Sequence, residues 1–600
     1  MPDRTQSTTT RRPTLRAARL VALTLTCVLA PVAPAASSET MTTDSATTTD
    51  TGVAQAASAR RSGRDWYVAP TGSDSASGHR SAPLSTVDAA IAKAAAGDTI
   101  VLRGGVYHQG FTVTKDNLTL RGAPGESAVL DGATPVSGWQ QEGAGWVRRG
   151  WTPRFDHSPT YTFGAPDGAA SGWAFVSPER PMAAWPDQVW VDGQAMRQVA
   201  SPSQLVPGTF AVDYAAGALH LGSDPTGKRV DASTIAKAAS IRGSGTRLQD
   251  LTFRRFAPSV PHMGAVTLER PGARLKNVDI LDMATTGLSV IADRARLSRV
   301  KVLRSGMLGI HASSAYGLRL SRVKVRGNNT EGFNQAPVAG GMKVHRSRDV
   351  RIKKSVFAGN AGTGIWFDVS NYDMRVLNSK IKQNTGHGIF LEISDTALIA
   401  GNHIRDNRGS GVLVDNTGHV KIWNNTITGT GRPLNIVQDD RLAAELAFPG
   451  YDERRPKPDP TVPWITTKVQ VRNNVISRPK AVANCMLCVE DYTHRRSARE
   501  MGVRADGNVY QRSGPSAPTW VVVWSAGEGD PDVYTGLEPF RAQWGQERHG
   551  VLTTSPVVSA AGRATSSLKG LERSVARRLP SGVASQVGVR AGARHLGAWH

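Results

Sequence analysis

Between positions 364 and 394 the chain alternates apolar and polar residues in short runs, breaks at Gly or Asn, and then repeats the phrase. Gly364-Ile365-Trp366-Phe367-Asp368 returns as Gly388-Ile389-Phe390-Leu391-Glu392. Alternation of this kind predicts short strands in which Ile365, Phe367, Ile389 and Leu391 face inward while Trp366, Asp368, Phe390 and Glu392 face outward. The opening glycine recurs at Gly287, Gly309, Gly341, Gly364, Gly388 and Gly411, in steps of 22, 32, 23, 24 and 23 residues. One Val/Ile-rich strand per step, with Gly and Asn at the turns and nothing of helical length between, predicts a parallel β-helix. Asn360, Asn384 and Asn407 keep the same beat, where each coil turns. The longer step holds a polar, Gly/Pro-containing loop over 328–340, predicted to be a surface excursion.

Stacking turns this repeat into ladders, because equal positions on successive coils lie about 4.8 Å apart. One outward ladder carries His311, Lys343, Trp366, Phe390 and Leu413, and the next Ser313, His345, Asp368, Glu392 and Asp415. Asp368 and Glu392 are the candidate catalytic pair; His311, Lys343, His345, Trp366, Phe390 and Asp415 are candidate substrate-binding residues, with the outward Trp and Phe offering a sugar-stacking surface. Glu392 lies between two acids, so its proton affinity is expected to be raised.

The pattern changes elsewhere. Residues 1–36 have the arginines and short apolar run of a secretory signal, with a partial twin-arginine match, and predict export to the medium or cell wall. Residues 37–64 read as a disordered linker, and 65–133 as an N-terminal cap with the first coils, including an amphipathic helix over 83–96. Over 134–231 the repeat is lost to tryptophans and hairpin signals such as Val191-Asp192-Gly193-Gln194, predicting a small inserted β domain whose tryptophans serve its core. The β-helix runs over 232–555, with a Pro- and charge-rich loop at 439–463 able to wall one side of the patch, and 556–600 form a basic tail.

The formal charge of +23 fits either a merely soluble arginine-rich surface or an anionic partner, for which an acidic glycan or wall polymer suits better than nucleic acid, no nucleic-acid-binding module being present. The basic residues read as scattered and not striped. Beyond the signal only Cys485 and Cys488 remain; they suit a structural role, and a local disulfide would need a kink in the strand. No metal, cofactor or stable membrane anchor is implied.

With the patch assembled, the chain resembles secreted bacterial right-handed parallel β-helix proteins of carbohydrate metabolism. Tyr67-Val68-Ala69-Pro70-Thr71-Gly72-Ser73-Asp74 and Gly97-Asp98-Thr99-Ile100 look like the usual start of such proteins, and the insert is similar to one found in several of their glycoside hydrolases. Gly364-Ile365-Trp366-Phe367-Asp368 followed by Phe390-Leu391-Glu392 is similar to the β-xylosidase-type β-helix hydrolases. That resemblance implies an all-β fold, with Asp368 as nucleophile and Glu392 as acid/base. A retaining hydrolase of a wall or plant polysaccharide is the leading expectation. A polysaccharide lyase or uronate epimerase using Lys343 or His345 as base is the alternative, and a non-catalytic glycan-binding wall protein the third.

Overall fold

The computed structural model describes residues 63–168, 173–559 and 562–599. The expected signal segment, and all but the last two residues of the expected linker, lie outside them. Two long sheets build the body, one of 24 strands and one of 13, in which almost every pairing is parallel and joins one coil to the next. The 13-stranded sheet carries the repeated phrase. Its strands Leu308–Ser313, Gly340–His345, Thr363–Asp368, Ile389–Glu392, Val412–Asp415 and Leu434–Gln438 stack in order. The register is the one the glycine beat predicts: His345 opposes Asp368, Trp366 opposes Phe390, and Glu392 opposes Asp415.

Inward side chains form one continuous core along the stack, with Ile365, Phe367, Ile389, Leu391, Val412 and Val414 fully buried. Burial at about 25 cal/mol per Å² of apolar surface is the main force holding each coil to the next. Where the coils turn, asparagines run inside the wall. Asn328, Asn360, Asn384 and Asn407 form a file in which each amide donates to the next side-chain carbonyl at 2.8 to 2.9 Å. A second file links Asn402, Asn425, Asn474 and Asn508. These bonds satisfy backbone carbonyls and amides that a tight turn would otherwise strand. The glycine column has its cause here: a Cβ at Gly364 would sit 2.8 Å from the Asn384 amide nitrogen and 2.7 Å from the Gly388 carbonyl oxygen.

A helix, Val87–Lys93, closes the N-terminal end of the core with Val87, Ala90 and Ile91. It is shorter than the expected 83–96. Thr86 caps it by accepting from the Ala89 amide at 3.2 Å, and beyond Lys93 the Lys115 ammonium takes the Ile91, Ala92 and Ala94 carbonyls, ending the helix early. Between Ala133–Pro135 and Val230–Ser233 the chain leaves the stack to form a 4-stranded and a 5-stranded sheet around Trp151, Val189, Phe210 and Leu221.

Two expectations are corrected. The 328–340 loop is no surface excursion, since Phe333, Val338 and Ala339 are buried against Phe175, Ala183 and Ala184 of the insert. Nor is 556–600 a plain tail. The helices Ser566–Val575 and Ser581–Val587, with Leu579 between them, lay Leu568, Val575, Leu579, Val583 and Val587 back onto the stack, the last three against Leu377, Ala400 and Trp423. Among the described residues, no helix is long and apolar enough to cross a membrane.

Candidate active site

Asp368 and Glu392 end neighbouring strands of the 13-stranded sheet, and the in-register pairing of Trp366 with Phe390 and Phe367 with Leu391 carries them to the same face. The patch is not open, as its outward position implied. Asp368 is 3 % exposed, Glu392 7 % and Trp366 8 %, because overhanging segments cover the sheet here. On one side the 328–340 loop reaches Lys343, whose ammonium donates to the Pro337 carbonyl. On the other, the 439–463 loop packs Ala443, Val462 and Trp464 against Val369 and Ile393, and the buried Asp452 accepts from the Tyr316 hydroxyl.

The two carboxyls have opposite surroundings. Lys343 Nζ lies 2.9 Å from Asp368 Oδ2, and His345 Nε2 3.5 Å from the same oxygen. Burial alone would raise the Asp368 carboxyl, but the Lys343 charge and the His345 contact outweigh it and hold it well below the usual carboxylate range. Asp368 is therefore ionised near neutral pH. Glu392 accepts from Trp366 Nε1 at 2.9 Å and from Arg441 Nη1 at 2.6 Å. Burial first, and the Asp368 charge second, push it up to about 7 despite Arg441. Burial also raises Asp415, whose Oδ2 accepts from Arg441 Nη2 at 3.0 Å while its buried Oδ1 has no partner.

The candidate residues are brought together, though not all in the expected role. Trp366 offers no free stacking face: Lys343 Nζ sits 3.7 Å from its ring centroid, and Phe390 stacks on it at 5.2 Å and 15°. Its role here is to hold Glu392. Phe390 remains half-buried, with His387 at 5.4 Å. His311 lies deeper, bonded to Ser289 at 2.8 Å and 5.7 Å from the His345 ring; burial depresses both imidazoles, His345 to about 4, so both are neutral near pH 7. Sequence reasoning missed Arg441, which bridges Glu392, Asp415 and Asp439. Its signal was only its place in the charged loop. Cys485 and Cys488 are disulfide-bonded, the kink being supplied because Cys485 precedes the strand Leu487–Asp491. Among the described residues no group of three or more His, Cys, Asp or Glu side chains is arranged to hold a metal ion.

A family model described as "Right handed beta helix region" matches residues 264–427, the coils that carry both carboxyls. The crystal structure of XylC in complex with xylose superposes with a TM-score of 0.58 over 82 % of this chain and 86 % of that one, at 14 % identity. The fold is a right-handed parallel β-helix. A structure described as a glycoside hydrolase covers 63 % of this right-handed β-helix and 95 % of its own chain, at a TM-score of 0.44 and 11 % identity. Among curated proteins, pectate lyase PEL9 of Emericella nidulans is 43 % identical over 75 residues, 11 % of this chain. That match spans only 18 % of the lyase's length.

Proposed function

We propose that the protein is a retaining glycoside hydrolase acting on a wall or plant polysaccharide, with Asp368 as nucleophile and Glu392 as acid/base. One observation carries the reading: two carboxyls on adjacent coils have proton affinities pushed in opposite directions by their neighbours. Asp368 attacks the anomeric carbon as its bond to the leaving oxygen breaks, and the Glu392 proton passes to that oxygen. Glu392, now a carboxylate, takes a proton from water, whose oxygen displaces Asp368 and restores the original configuration. A strand spacing of about 4.8 Å is close to the roughly 5 to 5.5 Å carboxyl separation of retaining enzymes and short of the 6.5 Å or more of inverting ones. Because both Glu392 oxygens already accept hydrogen bonds, proton donation requires Arg441 to give way when substrate enters. The arginine-flanked apolar run near the N-terminus supports export, which the mature N-terminus recovered from culture medium would test.

The 75-residue stretch that is 43 % identical to a pectate lyase favours a second reading, β-elimination or C5-epimerisation of a uronate. Against it, the Lys343 ammonium is engaged by Asp368 and by the Pro337 carbonyl, which leaves it poorly placed to take a proton, and the neutral His345, the other candidate base, is made a weak one by burial, with Nε2 turned to Asp368 Oδ2 at 3.5 Å. Incubation with aryl glycosides and with polyuronates separates the cases. Hydrolysis releases a new reducing end, elimination an ultraviolet-absorbing unsaturated sugar, and a wall-binding protein neither. Azide should restore turnover of Glu392→Ala with retained configuration and give an inverted adduct with Asp368→Ala; exchange of the two outcomes would reverse the assignment.

A further inference from the structure

The basic residues are striped, contrary to the expectation from the linear sequence. On the 24-stranded sheet, Arg247, Arg274, Arg296, Arg319, Arg351 and Arg375 oppose one another in direct register across six successive coils. Adjacent rungs are about 4.8 Å apart, a spacing at which like charges repel unless something anionic compensates them. Lys276 and Lys353 flank the column two residues along their strands and are exposed. Beside it a groove of about 520 Å³ is lined by Arg299, Lys301, Arg322 and Lys324, against Asp250 and Asp279.

The compensation inside the protein is partial. Arg319 pairs with Asp349, and Arg375 with Asp373. Between them Arg351 forms no ion pair of its own among the described residues; its buried Nε lacks a partner, and burial with the flanking Arg375 and Arg319 charges depresses its guanidinium although Asp349 and Asp373 act against this. Arg274 and Arg296 are exposed and form no side-chain ion pair among the described residues. Beyond Arg375 the column turns apolar at Leu398, and there the C-terminal helix covers the sheet, with Gln586 reaching Arg375 at 3.4 Å.

We propose that this ladder is a docking face for an extended polyuronate, separate from the proposed catalytic cleft and independent of its chemistry. Asp349 and Asp373 already show the geometry, a carboxylate set against a guanidinium of the column. A glycan with one carboxylate per sugar presents anions at about the interval of the rungs, over a span of about 20 Å from Arg247 to Arg351. Nucleic acid fits less well, since the column carries no aromatic side chain on which bases could stack.

The test uses the full chain with Asp368→Asn added, so that no polymer is cut, and follows binding of polygalacturonate of defined lengths over a salt series. Arg274→Gln/Arg296→Gln/Arg351→Gln should weaken binding of a hexamer or longer chain at least tenfold and flatten the dependence of log K on log salt by about 2, as expected for three lost ionic contacts. Binding of a dimer should change little. The matching triple Lys variant, which keeps the charge, should recover most of the affinity, and both variants should melt with the parent. Without the Asp368 change, turnover of a short aryl glycoside should be unaltered. Unchanged polymer binding in the Gln variant would overturn the proposal. Tighter binding of oligo-dT of equal charge at the same ionic strength would make the face a nucleic-acid surface instead.

Discussion

Two buried glutamates, Glu392 and Glu547, have proton affinities raised to about 7, burial being the first cause for both. Their neighbours separate them. Glu547 is fully buried at the end of an asparagine file, where its carboxylate accepts from the Asn508 side chain and from the Tyr510 hydroxyl at 2.8 Å. Its hydrogen-bond donors are neutral, and it finishes a hydrogen-bonded row that would otherwise end in an unpaired amide. Glu392 instead sits beside an ionised Asp368, under a guanidinium from a loop, with part of its side chain reachable. A perturbed carboxyl is a stronger candidate for a reactive group where a second charge of different proton affinity accompanies it.

The largest expected effect is that of Asp368→Asn, which should lower turnover of every substrate on the order of 10⁴-fold, read by steady-state kinetics. Residual activity within tenfold of the parent would put Glu392 on the same footing as Glu547. Glu392→Gln should cost about 10² to 10⁴-fold on substrates with poor leaving groups and far less on activated aryl glycosides, which need little protonation. An equal loss on both would remove the acid role. Glu547→Gln should leave kcat/KM unchanged and act on stability alone. The unfolded glutamate gives up its proton near 4.5 and the folded one near 7, so the native state holds more protons in that window and stability falls as pH rises through it. The unfolding free energies read from urea titrations at pH 4.5 and 7.5 should therefore differ by about 3 kcal/mol less in the variant than in the parent. The smallest effect belongs to Arg441→Met. Arg441 lowers the Glu392 pKa, so its loss should move the basic limb of kcat/KM from about 7 to higher pH, by about one unit. A downward shift would mean that Arg441 does not set the acid.

The repeat made the rungs legible. Asp368, Glu392, His345 and Lys343 share their faces because the step between glycines is nearly constant, and stacking then leaves no choice of neighbour. Burial of the patch was legible only in part: the 439–463 loop was expected as a wall, but 328–340 was expected as a surface excursion, and the docking of these segments, which carry no repeat, depends on scattered residues such as Phe333, Tyr316 and Trp464. Arg441 was hidden for the same reason. The arginine column was legible and missed: Arg274, Arg296, Arg319, Arg351 and Arg375 follow the glycine steps almost residue for residue, but charge counted along the chain dilutes what charge counted per coil concentrates. The C-terminal helices carried a signal too, with Leu568, Leu571 and Val575 at helical spacing in an arginine-rich segment.

The second asparagine file measures the stack in turns and ignores chain length. Asn402 and Asn425 are 23 residues apart, Asn425 and Asn474 49, and Asn474 and Asn508 34, yet each pair is bonded at 3.0 Å. An excursion of any size is therefore invisible to the spine, provided that the chain returns to the next rung. The walls of the cleft become interchangeable parts, free to lengthen, shorten or be exchanged between relatives while the carboxyl spacing stays fixed by the coils. Since one of those parts brings Arg441, exchanging a wall would retune the acidity of Glu392 in the same stroke, and substrate range and pH range would be inherited together.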